Sequence, residues 1–182
     1  MTDRKGNWIQ TYTGKKFYPL DPRPEDINIA DIAHALSLQC RYGGHCNTFY
    51  SVAEHSILVA QAVPRKDALW GLLHDASEAY LVDVPRPIKG ELGNYYEIEA
   101  NLMRVICDVF ELPHDMPASV AEADRRVLLN ERGKLYGTAA DLWGIEELMP
   151  LENCFVRGMD WWSAKEKFVD AFDTLTGNLS VL

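Results

Sequence analysis

Three segments of the sequence place ionisable side chains inside stripes of apolar residues that recur at helical spacing. His55, His74 and Asp124 each have apolar residues three or four positions away on the same helical face. An ionised carboxylate that faces a core is strongly destabilising unless it has a partner. The fold must therefore bring these helices together so that their polar groups satisfy one another.

A divalent cation shared by the three segments would meet this requirement. Asp75 follows His74 directly, so the set offers two imidazoles and two carboxylates, which suit Zn, Mn, Co, Fe or Ni. Successive helical residues point about 100° apart, so His74 and Asp75 can bind one ion only if it lies close to their helix. Gly71, one turn before Asp75, is predicted to leave room for it. The alternative is that each histidine is an ordinary core residue.

Three further residues carry chemistry that such a site can use. Glu78 lies four residues after His74 on the same helical face, where a carboxylate can orient a water or pass a proton. Its alternative role is that of a solvated helix charge. Arg41 stands close to two glycines and can reach a phosphate, unless it is an ordinary loop arginine. Tyr42 can stack on a base or simply pack.

The remaining pattern predicts an all-α domain of five to seven helices with a small N-terminal β-hairpin. The hairpin is expected from β-prone runs on either side of Thr13-Gly14-Lys15, within an irregular extension that covers residues 1–24. Residues 25–182 are predicted to form one helical domain. Helices are predicted from Asn28, from Ser51 to Val63, from Lys66 to Leu81, from Tyr95 to Phe110, from Pro117 towards Gly137 and from Ser163, with capping boxes at Ser51 and Ser163.

Composition and charge exclude several classes of protein. Hydrophobic residues make up 47% of the 182 residues and charged residues 25%, as in a globular rather than a disordered chain. The net charge of −9 disfavours duplex nucleic acid as a partner, because its phosphates would repel the chain. No apolar run reaches the ~20 residues of a membrane span, so we expect a cytoplasmic protein with no membrane partner. Its four cysteines are then expected to be reduced structural thiols.

The order His, His-Asp, Asp along helices resembles that of the HD-domain metal-dependent phosphohydrolases. Within that superfamily the sequence is most similar to the bacterial 5'-deoxynucleotidases and the related phage deoxynucleotide (dATP) triphosphohydrolases. The resemblance covers about residues 30–130. It is carried by His55 in Val-Ala-Glu-His-Ser, by His-Asp-Ala-Ser-Glu at 74–78, by the run Asp83-x-Pro85-x-Pro87-x-Lys89 and by Arg41, 14 residues before His55.

Carried over by position, the resemblance implies an HD-domain helical bundle that binds one divalent metal ion per subunit, with Mg added to the metals above. The implied metal ligands are His55, His74, Asp75 and Asp124. The implied catalytic residues are Glu78, Asp75 and Arg41. The implied substrate-binding residues are Arg41, Tyr42, Asp83 and Lys89. The related deoxynucleotidases have Trp where this chain has Tyr42, and Asp83 is alternatively an ordinary aspartate that ends a helix.

The resemblance implies a nucleotide phosphohydrolase. The first hypothesis is a 5'-nucleotidase that removes phosphate from deoxynucleoside monophosphates by means of a metal-activated water. The second is a dNTP triphosphohydrolase that releases triphosphate, and the third is a non-catalytic module that binds a metal or a nucleotide. The similar proteins form dimers or larger rings, so a homo-oligomer is expected. Large apolar side chains of the C-terminal third are predicted to pack in the core, with a subunit interface as the alternative; they are Leu142, Trp143, Ile145, Leu148, Met149, Trp161 and Trp162.

Overall fold

The computed structural model describes residues 4–137, 141, 143–145 and 147–177, so the prediction for Leu142 lies outside the described residues. Its first element is an antiparallel hairpin, in which β1 (Ile9–Gln10) pairs with β2 (Lys16–Phe17) and Ile9 lies opposite Phe17. Phe17 is fully buried, and its ring stacks on that of Tyr80 at a centroid distance of 4.0 Å. The predicted hairpin is therefore confirmed, and one of its side chains reaches the helical core.

The chain after the hairpin is mostly helical, which confirms the predicted all-α class. Five of the helices have ten or more residues, whereas two are single turns of four residues. The helices of the described chain are α1 (Ile29–Leu38), α2 (Val52–Ala62), α3 (Ala68–Leu73), α4 (Glu78–Leu81), α5 (Arg86–Lys89), α6 (Tyr95–Val109), α7 (Ala118–Leu135) and α8 (Trp161–Thr176).

Side-chain caps begin α1 and α2 where the sequence predicts them. The side chain of Asn28 accepts a hydrogen bond from the N–H of Ala30, and that of Ser51 accepts one from the N–H of Glu54. The carboxylate of Glu54 does not complete the capping box. It accepts hydrogen bonds from the backbone N–H groups of residues 157–159 at 2.6, 3.1 and 2.6 Å. Glu54 therefore fixes the segment that leads into α8.

The start of α8 differs from the prediction. Asp160, rather than Ser163, is the cap: its Oδ1 accepts hydrogen bonds from the N–H groups of Trp162 and Ser163, each at 3.0 Å. An anionic acceptor is especially favourable at a helix N-terminus, so the helix begins earlier than predicted. Trp161 and Trp162 consequently lie on its first turn and are 39% and 52% exposed. Met149 is 74% exposed. The prediction that these three side chains pack in the core is therefore wrong.

The helix predicted from Lys66 to Leu81 is interrupted. α3 ends at Leu73 and α4 begins at Glu78. Residues 74–77 follow a tighter path closed by i→i+3 hydrogen bonds, such as the one from the N–H of Ala76 to the carbonyl of Leu73 at 2.9 Å. The interruption falls on the His-Asp pair, although His74 and Ser77 keep right-handed helical φ and ψ angles.

α2 lies at the centre of the helical assembly. Its residues 52–60 are all buried, and α1, α3, α7 and α8 pack against it. A helix that is buried on every side lies inside a fold rather than on its surface. His55 is on this helix, so its imidazole can be satisfied only by groups from neighbouring elements.

Two apolar clusters border α2 and fix the helices around it. The larger one includes Leu36 of α1 and Phe168 of α8, and the smaller one includes Trp70 of α3 and Val127 of α7. The smaller cluster holds α7, and with it Asp124, beside α2 and α3. Within the described residues, no helix combines the length and the apolarity needed to cross a lipid bilayer.

α2 and α3 approach each other closely at Gly71. A Cβ atom at this position would lie 3.0 Å from Cα and 3.2 Å from the backbone nitrogen of Ala60. The prediction that Gly71 leaves room for an ion is therefore wrong, because the backbone of α2 fills that space. Glycine at this position allows α2 and α3 to pack close together.

We expect Gly71→Ala to lower the free energy of unfolding by up to about 2 kcal/mol, because the added methyl group forces α2 and α3 apart at a cost of about 1–3 kcal/mol. This cost outweighs the gain of about 1 kcal/mol that alanine brings in a helix. Gly133→Ala in α7 is the matched control, since nothing lies within 4 Å of its Cβ, and it should be stabilising. Urea unfolding followed by circular dichroism measures both. Equal stabilisation by the two variants would contradict the close contact.

Candidate metal centre

Four side chains from three parts of the fold meet beside α2. His55 comes from α2, His74 and Asp75 from the turn after α3, and Asp124 from α7. The Nε2 atom of His55 lies 3.2 Å from Nε2 of His74 and 3.1 Å from Oδ1 of Asp124. The Oδ2 atom of Asp75 lies 3.2 Å from Nε2 of His74 and 3.7 Å from Nε2 of His55. The structure thus brings together all four residues that the sequence predicts as ligands.

The separations within this group suit a single cation. Atoms bound at about 2.0–2.2 Å from one ion lie about 3 Å from one another. His55, His74 and Asp124 offer ligand atoms that all lie within 4.8 Å of one another. Imidazole nitrogens combined with carboxylate oxygens match the preferences of first-row transition metals and zinc. The donor set and its spacing therefore fit a divalent ion.

Hydrogen bonds on the far side of each imidazole direct its Nε2 atom towards this point. Nδ1 of His74 lies 2.8 Å from the carbonyl oxygen of Gly71, which can only accept, so this nitrogen carries the proton. Nδ1 of His55 lies 2.6 Å from Oε1 of Glu131 and donates to it in the same way. Each neutral ring then presents an Nε2 lone pair to the other, so a cation or a proton is needed between them.

The charges around the rings keep the carboxylates ionised. Burial and Arg41 lower the pKa of His55, but Glu131 and Asp124 outweigh them and raise it to about 9. Burial raises the pKa of Asp75, yet the neighbouring histidines and Arg41 hold it well below its usual range. The pKa of Asp124 is lowered as well, against the effect of burial, by His55. Both aspartates are therefore available as anionic ligands at neutral pH.

Glu131 is a functional candidate that the sequence analysis does not identify. Its side chain is fully buried and meets four others. Oε1 accepts from Tyr50 at 2.8 Å and from His55 at 2.6 Å, while Oε2 accepts from Tyr42 and lies 3.6 Å from Nη2 of Arg41. Burial raises the pKa of Glu131, but Arg41 and His55 lower it to about 2. Its sequence signal is a spacing of seven residues from a predicted ligand on the same helix.

Arg41 is presented by a tight turn between α1 and α2. Its backbone N–H donates to the carbonyl of Tyr50 at 2.9 Å, and Tyr42 has a left-handed φ of 58°. The guanidinium lies between two carboxylates, with Nη1 3.4 Å from Oδ2 of Asp75 and Nη2 3.6 Å from Oε2 of Glu131. Tyr42 is half-buried, and its hydroxyl is engaged by Glu131. The predicted phosphate-binding arginine thus lies directly beside the predicted ligands.

A cleft of about 770 Å³ opens beside this group, and Asp75 and Asp124 line it. Aromatic side chains contribute to its walls, namely those of Tyr96, Tyr136 and Trp143. The residues predicted to bind substrate, which are Arg41, Tyr42, Asp83 and Lys89, all line the same cleft, and so does Glu78. The ligand group and the predicted substrate residues therefore share one cavity.

Glu78 lies in this cavity as a buried acid. It is 6% exposed, and its Oε2 has no hydrogen-bond partner among the described residues. Burial raises its pKa, and the charges of Asp75 and Asp83 raise it further, to about 9. The ammonium group of Lys89 is too far away, at 4.0 Å, to offset this. Glu78 therefore carries a proton at neutral pH.

Asp83 and Lys89 are held by two residues that the sequence analysis does not identify. The side chain of Gln39 accepts from the N–H of Asp83 and donates to the carbonyl of Glu78, both at 3.0 Å. Nζ of Lys89 lies 2.6 Å from Oε1 of Glu99. Burial raises the pKa of Asp83. These contacts order the side of the cleft formed by residues 78–89.

The arrangement combines three chemical capacities in one cavity. The histidines and aspartates offer a donor set for a cation, Arg41 offers a guanidinium for an anion, and Glu78 offers a proton. A cavity with these groups is suited to binding a small phosphate ester and to assisting its hydrolysis.

No protein-family model matches the chain. The chain is similar to the Escherichia coli protein named "Uncharacterized protein YfdR", with 40% identity over 149 residues that cover 82% of this chain and 84% of that protein. It is also similar to the Rhodobacter capsulatus protein named "Uncharacterized protein RCAP_rcc00048", with 39% identity over 129 residues, 65% of this chain and 66% of that protein. Given identity of this level along most of both sequences, the chain belongs to the same family as Escherichia coli YfdR.

Proposed function

We propose that the protein is a metal-dependent phosphohydrolase of the HD-domain type that removes the 5' phosphate from deoxynucleoside monophosphates. One observation carries the proposal. The Nε2 atoms of His55 and His74 face each other at 3.2 Å, with carboxylate oxygens of Asp75 and Asp124 beside them and Arg41 at the edge of the group. The resemblance to HD-domain phosphohydrolases in the order of these residues supports the same assignment.

A bound divalent cation would supply a water of lowered pKa and would polarise a phosphoryl oxygen. The chain's own residues prepare the site for it. Glu131 and the carbonyl of Gly71 hold a proton on the outer nitrogen of each imidazole, so the inner nitrogens face the site, and His55, whose pKa is about 9, would give up its inner proton when a cation binds. Asp75 and Asp124 are ionised at neutral pH and bring the negative charge that a cation needs.

Arg41 would bind the phosphoryl group that is removed. Its guanidinium lies 3.4 Å from Asp75, so a phosphate placed beside the ligand group comes within its reach. The planar guanidinium can donate to two phosphate oxygens at once and neutralises charge that would repel the attacking water. The side chain is largely buried, where solvent and salt weaken the interaction least.

Glu78 would donate a proton to the leaving 5' oxygen. Burial and two neighbouring aspartates raise its pKa to about 9, so the proton is present at neutral pH. A cation beside Asp75 would cancel part of the negative charge that raises this pKa. The pKa would then move towards neutrality, the range in which an acid can both give up and regain its proton.

The cleft favours a monophosphate over a triphosphate. Its volume of about 770 Å³ is within the range of pockets for small ligands, about 300–1,000 Å³, and its aromatic walls can hold a base or a sugar. Lys89 is paired with Glu99 at 2.6 Å, which reduces the positive charge available for further phosphates. Arg86 also lines the cleft, so release of triphosphate from a dNTP is the alternative activity.

The test is to incubate the purified protein with deoxynucleoside mono- and triphosphates in the presence of Mn, Co, Mg or Zn. We expect orthophosphate and nucleoside from the monophosphates. Release of triphosphate and nucleoside from a dNTP would support the alternative activity. Absence of hydrolysis with every metal, combined with metal or nucleotide binding, would identify a non-catalytic module instead.

In the same assay, Asp75→Ala should lose nearly all turnover, about 10²–10³-fold or more, because a ligand and its charge are removed. Its far-ultraviolet circular dichroism should match that of the wild type. The matched control is Glu122→Ala on α7. The side chain of Glu122 is 63% exposed, and the activity of this variant should equal that of the wild type. Wild-type turnover by the Asp75 variant would exclude this site.

We expect Glu78→Gln to gain stability relative to the wild type as the pH rises in the presence of a chelator. The pKa of Glu78 is raised from 4.5 to about 9 on folding, chiefly by burial and by Asp75. Between these values the folded wild type stays protonated while the unfolded chain ionises. The wild type has its full stability below pH 4.5, the pKa of Glu78 in the unfolded chain, and loses stability as the pH rises above that value. The variant does not, because glutamine does not titrate.

Melting temperatures at pH 5 and pH 8 measure this effect. The variant should gain about 10 °C relative to the wild type between the two pH values, because the linkage amounts to about 4 kcal/mol and a chain of this length shifts by about 2–4 °C per kcal/mol. Other groups titrate in both proteins, so their effects cancel when the melting temperature of the wild type is subtracted from that of the variant. A difference that is constant across this range would show that Glu78 is ionised in the fold, which contradicts its role as an acid.

Glu131→Gln should weaken metal binding by about 10–100-fold, because a neutral amide orients the His55 ring less strongly than a carboxylate does. Isothermal titration of the chelator-treated protein with Zn or Mn measures the affinity without reference to catalysis. Glu122→Gln serves as the control on the exposed face of the same helix. Equal affinities in the two variants would rule out an orienting role for Glu131.

A further inference from the structure

Two cysteines flank the turn that carries Arg41. Cys40 precedes the arginine directly, and Cys46 follows it by five residues. Their Sγ atoms lie 3.7 Å apart, and both are free, partly buried thiols. A disulfide requires a distance of about 2.05 Å, so the two sulfur atoms need to approach by about 1.7 Å.

The backbone holds both ends of this loop in place. Cys40 forms an antiparallel bridge with Ser51, and the N–H of Asn47 donates to the end of α7 at 2.9 Å. Residues 43–45 between the cysteines are exposed to solvent. The two thiols are therefore kept close together in a part of the surface that a small oxidant can reach.

We propose that Cys40 and Cys46 form a reversible disulfide that closes the turn around Arg41 when a peroxide oxidises the protein. Intracellular disulfides of this kind are typically transient and redox-sensing rather than structural. The proposal replaces the expectation that all four cysteines serve only as structural thiols. Cys107, by contrast, is 1% exposed within an apolar cluster.

The reaction balances with a peroxide as the oxidant. One thiol is oxidised by hydrogen peroxide to a sulfenic acid, and one water is released. The sulfur of the other cysteine then displaces the hydroxyl group, which leaves with a proton as a second water while the S–S bond forms. The two sulfurs lose two electrons, which the peroxide gains. Burial and contact with Cys40 raise the pKa of Cys46 to about 11, which disfavours its thiolate.

The consequence for catalysis rests on the proposed function, whereas formation of the bond does not. Closure brings the two Sγ atoms about 1.7 Å closer together, and Arg41 follows Cys40 directly in the chain, so strain from the new bond is passed to its backbone. A displacement of about 1 Å in a positioning group can cost about 10²-fold in rate. Oxidation should therefore raise the KM for a deoxynucleoside monophosphate by at least about tenfold, because Arg41 would bind its phosphate.

Tryptic mapping of the full-length protein tests the bond directly. Trypsin cleaves after Arg41, so the four cysteines lie on four separate peptides, 17–41, 42–65, 105–125 and 135–157. After treatment with hydrogen peroxide, we expect peptides 17–41 and 42–65 to be joined with the loss of two hydrogens. Dithiothreitol should separate them. Cys154→Ser should retain the linked pair, and Cys46→Ser should lose it.

The KM for dAMP with Mn, measured before and after peroxide, tests the consequence. We expect the increase in the wild type and in Cys154→Ser, but not in Cys46→Ser. Absence of the 17–41/42–65 pair, or linkage of 42–65 to 135–157 in its place, overturns the proposed bond. A linked protein with unchanged KM overturns its effect on Arg41. Absence of hydrolysis in the reduced protein refutes the proposed function alone, because the mass of the peptides still decides the bond.

Discussion

The ionised carboxylate of Glu131 is buried where α2, α7 and the turn after α1 meet. A carboxylate in such a place is strongly destabilising unless donors surround it. Oε1 accepts from Tyr50 and from Nδ1 of His55, and Oε2 accepts from Tyr42 and faces the guanidinium of Arg41. One oxygen thus orients a proposed metal ligand, and the other orients the turn proposed to bind phosphate. The two halves of the site are therefore coupled through one side chain.

Three of the proposed metal ligands could be predicted from the sequence because each interrupts a regular apolar pattern. His55, His74 and Asp124 stand where apolar side chains are expected, so their polarity requires an explanation. Glu131 interrupts the same pattern, since Val127, Leu128 and Leu135 stand three or four positions away, but a glutamate near the end of a helix is ordinarily solvated, so the pattern alone does not predict its burial. Its partner Tyr50 belongs to a segment without helical periodicity. The cluster exists only through tertiary contacts.

The two errors in helix boundaries have separate physical causes. The path through residues 74–77 winds only slightly more tightly than an α-helix, so the apolar spacing continues across it and conceals the interruption. At α8, Asp160 and Ser163 are both acceptable caps by residue type. The carboxylate of Glu54 holds residues 157–159, so the chain is already fixed just before Asp160 and the helix starts there. The long-range contact of Glu54 thus decides which of the two possible caps begins the helix.

The charges around the cleft determine the order in which the proposed ligands can bind. The pKa values of Asp75, Asp124 and Glu131 are all lowered, so these side chains are negative, and the guanidinium of Arg41 lies between Asp75 and Glu131. A phosphate dianion that approaches this group alone meets like charge in a poorly screened environment. Three carboxylates and one guanidinium leave two negative charges, which a divalent cation would cancel. Protonation of Glu78 removes one further negative charge. The geometry proposed to recruit a cation would thus also make the cleft able to accept a phosphate afterwards.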